Sequence, residues 1–206
     1  MATTKPSTSE RRPGRPRSGE PRASADSLLA TAEALIRTDG PGVTLEQVAT
    51  EAGVTKPIVY HHVGNRDALG RALAERLVDR ITAAVDTATA GATSPRDGLD
   101  RFLRAYLTTV RDDRHLFLYV SGGGHDRIDE TLRLADRAVA PMTEGFASMR
   151  REQGADEAVA ATWAYAVVGM LHFATLAWIR DDSGDVDTLA AHLGELLWSG
   201  LAGPNG

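Results

Sequence analysis

Residues 44–61 hold two short helical stretches separated by one glycine, and neither is long enough to be stable alone in water. Thr44-Leu45-Glu46-Gln47 fits a capping box, in which the Thr hydroxyl and the Gln side chain satisfy orphan N–H groups reciprocally. The helix it opens ends at Gly53 after about two and a half turns. Val54 follows, then Thr55 as a second N-cap, with Pro57 in the first turn, where its missing N–H is harmless. The spacing predicts a second short helix over residues 56–61. Small Ala49 and Ala52 allow the pair to approach closely, and Leu45, Val48, Val54 and Val59 supply an apolar seam. Helix, tight turn, helix is the helix-turn-helix plan.

Helical periodicity governs the rest. A stripe of Leu28, Leu29, Ala32, Leu35 and Ile36 predicts a helix over 23–38, stopped by Gly40. Asn65 caps a long helix over 66–89, with Leu69, Leu73, Leu77, Ile81 and Val85 inward. Further helices are expected over 95–111, 115–120, 128–153, 156–179 and 185–201. Gly122-Gly123-Gly124 breaks the chain, and Pro141 bends the 128–153 helix. No period-2 alternation with hairpin turns interrupts this pattern. The expected fold class is all-α: a three-helix N-terminal helix-turn-helix DNA-binding domain, then a C-terminal helical domain. The boundaries are a disordered basic arm over 1–21, the helix-turn-helix domain over 22–66, and the second domain over 67–206.

Composition excludes several classes. There is no cysteine, hence no disulfide, cysteine-ligated zinc or thiol nucleophile, which suits a reducing cytoplasm. No apolar run nears the ~18 residues of a membrane span, so no membrane partner is expected. The basic N-terminus has no apolar stretch behind it and does not read as a secretory signal. The six histidines form no HExxH-like pattern, and no Walker loop, dinucleotide fingerprint or G-x-S-x-G occurs. No catalytic residue, metal site or cofactor is expected.

The net charge of -5 disguises an asymmetry. Residues 1–22 carry six Lys+Arg against two acids, a balance of +4, leaving -9 for the other residues. Such a distribution fits a chain that meets nucleic acid in one orientation, its acidic body discouraging others. The 56–61 helix turns Thr55, Lys56, Tyr60 and His61 outward: a hydroxyl, an ammonium, a phenol and an imidazole suited to phosphate oxygens and base edges in a major groove. Taken alone, an ordinary helical hairpin with a polar face reads equally well.

Residues 24–69 resemble the N-terminal domain of the tetracycline-repressor (TetR/AcrR) family of bacterial regulators. The resemblance is carried by LIRTDG (35–40), TLEQVATEAGV (44–54), TKPIVYHHV (55–63) and NRDAL (65–69). It implies a recognition helix in the major groove. By that likeness Tyr60 contacts a phosphate, Thr55 and Lys56 meet the backbone at the helix start beside Pro57, and Thr44 meets phosphate. His61 contacts a base or phosphate, and His62 packs. The chain departs from the family pattern at Ile58, where a small or hydroxyl residue is usual, and at Val63, where Phe is usual. Ile58 has two open roles, thymine-methyl readout or packing; readout is preferred. In the arm, Arg11-Arg12-Pro13-Gly14-Arg15-Pro16-Arg17 resembles a minor-groove A/T hook, with Pro13 where the hook has Arg. Arg15 and Arg17 are its candidate contacts; a solvated tail is the alternative.

The family likeness also implies a small-molecule effector cavity and a homodimer through the last two helices, set on a pseudo-palindromic double-stranded operator. Phe102, Tyr106, Phe117, Met142, Phe146, Trp163, Met170 and Phe173 are the candidate cavity lining, which points to a lipophilic effector. His172, beside Phe173 on an apolar helix, is expected in the core, with a bond to the ligand as the alternative. The dimer face is expected on Ala161, Ala164, Val168, Leu171 and Thr175, with Leu189, His192, Leu193, Leu196 and Leu197. The function expected is a cytoplasmic, ligand-responsive repressor that releases its operator on binding the effector. The alternative is a ligand-independent DNA-organising protein on the same fold. A small helical enzyme is disfavoured for want of a nucleophile–base pair.

Overall fold

The computed structural model describes residues 23–122 and 128–201. Arg15, Arg17 and the rest of the basic arm, with Gly123, Gly124 and His125, lie outside the described residues. Regular structure among the described residues is helical throughout: α1 Ala25–Asp39, α2 Leu45–Glu51, α3 Lys56–Val63, α4 Arg66–Thr89, α5 Pro95–Asp112, α6 Arg114–Ser121, α7 Ile128–Glu152, α8 Ala160–Asp181 and α9 Val186–Leu201. A 3₁₀ turn, Glu157–Val159, leads into α8. The 156–179 helix expected as one piece therefore starts as a tighter coil.

Caps fix the helix ends. α1 begins at Ala25 rather than residue 23 because the Ser24 hydroxyl accepts the Ser27 N–H at 3.1 Å, while the Ser24 N–H donates to Ser27 Oγ at 3.0 Å. The capping box at Thr44 and Gln47 is present in both directions. Asn65 accepts the Ala68 N–H at 2.9 Å and opens α4. α3 runs two residues past its expected end, to Val63, and stops at Gly64, whose φ of 77° suits a residue without Cβ. Pro141 lies inside α7, which continues past it.

α2 and α3, at 7 and 8 residues, depend on packing for their helicity. Leu28 and Ile36 of α1, Val48 of α2, Val59 of α3 and Leu69 and Leu73 of α4 are fully buried together. Each such side chain contributes roughly 1.5–3 kcal/mol against the entropy of ordering. The same core continues through Leu103, Leu107 and Val110 of α5 and Leu116 of α6 to Leu171 of α8 and Leu193 and Leu197 of α9. α4 is the common spine, meeting α1, α5, α6 and α7; α8 lies along α7, and α9 along α5.

Two expectations are corrected here. First, α8 with its preceding turn is a 25-residue segment long and apolar enough to cross a membrane by length and composition. The expectation of no such run overlooked it, because single polar residues (Thr162, His172, Thr175) mask its continuity to the eye. Second, the expected dimer surface on α8 and α9 divides, with Ala161, His192 and Leu196 exposed and five of its residues turned inward. Ala164, Leu171 and Thr175 are buried within the protomer, as are Leu193 and Leu197. Leu196 of α9 is exposed as expected, and the other large apolar residues on the outside are Tyr165 and Phe173 of α8 and Trp198 of α9. Both helices are apolar on more than one side, so a single stripe does not say which side faces home.

Candidate nucleic-acid interface

α2 and α3 meet across a turn at Gly53, whose φ is 65°. The turn closes by the Val54 N–H donating to Ala49 O at 2.9 Å. α1 braces both helices from behind. Val59 points into this head, and the rest of the first two turns of α3 faces out.

Thr55, Lys56, Pro57, Ile58, Tyr60 and His61 are all exposed, as is Thr44 at the start of α2. Tyr60 is 46% accessible and Ile58 38%. An exposed Ile beside a Tyr, Lys and His leaves apolar surface in water, and that surface is available for contact. Thr55 caps α3 with its backbone only: its carbonyl accepts the Ile58 N–H at 2.9 Å, but its side chain makes no capping bond. The second helical position is Pro57, without an N–H, and the N–H of the third, Ile58, goes to the Thr55 carbonyl, so the hydroxyl makes no capping bond. Lys56 Nζ sits 3.8 Å from Glu46 Oε2, with both side chains largely exposed, so the ammonium is tethered loosely to α2 and is not sequestered.

Thr44 is different. Its hydroxyl donates to Gln47 Oε1 at 3.0 Å and accepts the Gln47 N–H at 3.3 Å. A phosphate at this corner would have to compete with that bond. Gln47, named from sequence only as the capping partner, is exposed at the same corner. His62 is corrected: it is exposed, not packed, and its ring meets that of His61 edge-on with centroids 5.0 Å apart. No group of three potential metal ligands occurs among the described residues.

The proposed cavity residues divide. Phe102 and Tyr106 of α5, Phe117 of α6, Met142 and Phe146 of α7 and Met170 of α8 all pack on the common core. Trp163 stacks edge-on against Phe146 at 6.0 Å, with Arg150 lying over its face. Phe173 does not join them: it is 72% exposed on the outer face of α8. Its neighbour His172, one residue or ~100° back along the helix, meets Phe117 instead, at 5.5 Å. Two polar groups that the sequence did not single out for the interior lie there. Thr175 Oγ1 and the Tyr119 hydroxyl are buried without a hydrogen-bond partner. Burial pushes the Tyr106 phenol up to about 12, opposed in part by the Thr175 hydroxyl. The two hydroxyls are thus neighbours, although Thr175 Oγ1 meets no partner at bonding geometry. A threonine within an apolar helix was the available signal.

This arrangement, a three-helix head with a solvent-facing second helix on an all-helical body, defines a helix-turn-helix DNA-binding protein. Residues 28–73 match the model of the bacterial regulatory proteins of the tetR family, and over most of its length the chain is similar to DNA-binding transcriptional regulators. It is 26% identical over 172 residues to an uncharacterised HTH-type transcriptional regulator of Mycobacterium tuberculosis, covering 82% of this chain and 73% of that one. It is 22% identical over 177 residues to the HTH-type transcriptional activator FasR of Mycolicibacterium smegmatis, covering 85% and 81%. Among solved structures it resembles the fatty acid degradation regulator FadR of Bacillus halodurans, with a TM-score of 0.66, 18% identity, and 85% and 98% of the two chains covered.

Proposed function

We propose that the chain is a cytoplasmic homodimeric repressor that releases a pseudo-palindromic operator when its helical body binds a small lipophilic effector. The observation that carries the DNA half is the outward row on α3: Thr55, Lys56, Ile58, Tyr60 and His61 exposed while Val59 alone is buried. On this reading the head, residues 22–66, lays α3 in the major groove. Tyr60, Lys56 and the Thr55 hydroxyl take phosphates, with Thr44 at the α2 corner, and His61 and Ile58 reach base edges beside Pro57. Arg15 and Arg17 of the arm, residues 1–21, add minor-groove contacts.

The regulatory half belongs to residues 67–206. Tyr106 and Thr175 among Phe102, Phe117, Met142 and Met170 make an apolar interior with polar handles, suited to a neutral lipophile. That one structural neighbour is named a regulator of fatty acid degradation is in keeping with such a ligand. The outer apolar residues of α8 and α9 supply the dimer contact, which also gives the membrane-length apolarity of α8 a soluble explanation. An effector acts only by binding the DNA-incompetent conformation better than the competent one.

The test is selection of bound duplexes from a random pool by the full-length protein, followed by gel shifts with the Lys56→Ala/Tyr60→Ala double variant. Specific binding should be lost. Retention of wild-type affinity removes the site assignment. A panel of lipophiles that leaves operator binding unchanged removes the regulatory half. A reporter that is activated rather than silenced, as the name FasR describes for that relative, reverses the sign.

A further inference from the structure

Among the described residues two carboxylates are buried, and both lie where the head joins the body: Glu33 on α1 and Asp113 at the α5–α6 junction, with side chains 8% and 10% exposed. Arg80 of α4 spans them, its Nε donating to Asp113 Oδ2 at 3.0 Å and its Nη1 to Glu33 Oε2 at 3.1 Å. Arg37 of α1 repeats the bridge from the other side, with Nε 2.7 Å from Asp113 Oδ1 and Nη2 3.5 Å from Glu33 Oε2. Arg76 of α4 reaches Glu33 Oε1 at 3.4 Å and also pairs with Asp26 at the start of α1. His115 of α6 closes the edge, its Nδ1 3.0 Å from Arg37 O. The head's brace, the spine and the body therefore meet in one ionic knot.

Strength alone does not explain this knot. Burying ions costs several kcal/mol each, and apolar groups of the same size often hold as well or better. The same join already has an apolar seam of Leu28, Ile36, Leu69 and Leu73. Apolar contact is non-directional and lets helices slide or tilt. A planar guanidinium bridging two carboxylates on different helices does not.

We propose that Arg80, with Glu33, Asp113 and Arg37, positions the reading head and so sets the half-site spacing that the dimer accepts. The inference rests on the dimeric, DNA-binding reading given above. α1 carries α2 and α3, so its angle to α4 fixes where each recognition helix points. Each added base pair moves a half-site by about 3.4 Å and turns it by about 35°. A head held at one angle tolerates one spacing; a loosened head tolerates several. These are positioning residues, since none touches DNA.

The test uses full-length protein, the half-site found by selection, and duplexes whose central spacer is lengthened or shortened by one and two base pairs. Wild type should lose roughly tenfold or more in affinity per base pair, equivalent to about 1.4 kcal/mol. Arg80→Lys keeps the charge but loses the two-carboxylate bridge. It should select the same half-site yet lose only about threefold per base pair. If that variant does not fold, Glu33→Leu/Arg80→Met replaces the bridge with apolar groups and carries the same readout. A uniform loss at all spacings, with the ratio between spacings unchanged, overturns the inference and makes the knot merely structural. Wild-type binding of single half-sites indifferent to spacing overturns the dimer reading and this inference with it. Failure of wild type to select any duplex instead refutes the DNA reading itself.

Discussion

Thr55 and Thr175 are both threonines without a side-chain partner, and their surroundings give them opposite meanings. Thr55 is exposed and its side chain makes no capping bond, so its hydroxyl is solvated and available for phosphate. Thr175 is completely buried, and an unpaired hydroxyl there carries a desolvation cost of about 1–3 kcal/mol. Thr175→Val, nearly the same shape, should leave the melting temperature unchanged or raise it. A clear drop in calorimetry would show that the hydroxyl is bonded in solution. Tyr106 gives a pH prediction. Its folded value of about 12 lies above the ordinary 10.0, so folding favours the protonated phenol. That contribution is complete below about pH 10 and fades as pH rises toward about 12. Denaturation curves of wild type and Tyr106→Phe should differ in this window and run parallel below it; matching alkaline limbs would refute the assignment.

At the scale of elements, the junction between α3 and α4 is the most exacting. Gly64 ends α3 at φ 77°, its N–H donating to Tyr60 O at 3.1 Å, and a Cβ there would stand 2.9 Å from that of Ala68. Gly64→Ala should destabilise the protein by about 1–2 kcal/mol from the left-handed backbone alone, with the methyl contact in addition. It should also weaken operator binding, since α3 hangs from this turn. A melting temperature within a degree of wild type would count against it. Most helices and their caps were legible in the sequence because each depends on residues within four positions of one another, whereas the end of α3, which stops at Gly64, was placed two residues early. The Glu33–Arg80–Asp113 bridge was not, since its members lie 33 and 47 residues apart and each reads alone as an ordinary charge on a helix. His62 was misread for a related reason: its fate depends on how α3 sits on α1.

For the whole molecule, the exposed Phe173 and Leu196, the latter 60% accessible, are the most telling surface features. Leu196→Glu should convert a dimer to a folded monomer by light scattering, with helical circular dichroism preserved and operator affinity sharply reduced. A variant that stays dimeric would move the interface elsewhere. The sequence by itself determined the all-helical fold, the helix limits to within a residue or two except at the start of α8, and the outward row on α3, because period and caps are local and the head is small enough to have one apolar side. It could not decide which face of α8 and α9 turns home. Ala161, Ala164, Val168, Leu171 and Thr175 form as good a stripe as any on an almost wholly apolar helix, and only packing against α7 and the core chose that Ala164, Leu171 and Thr175 go in and Phe173 stays out.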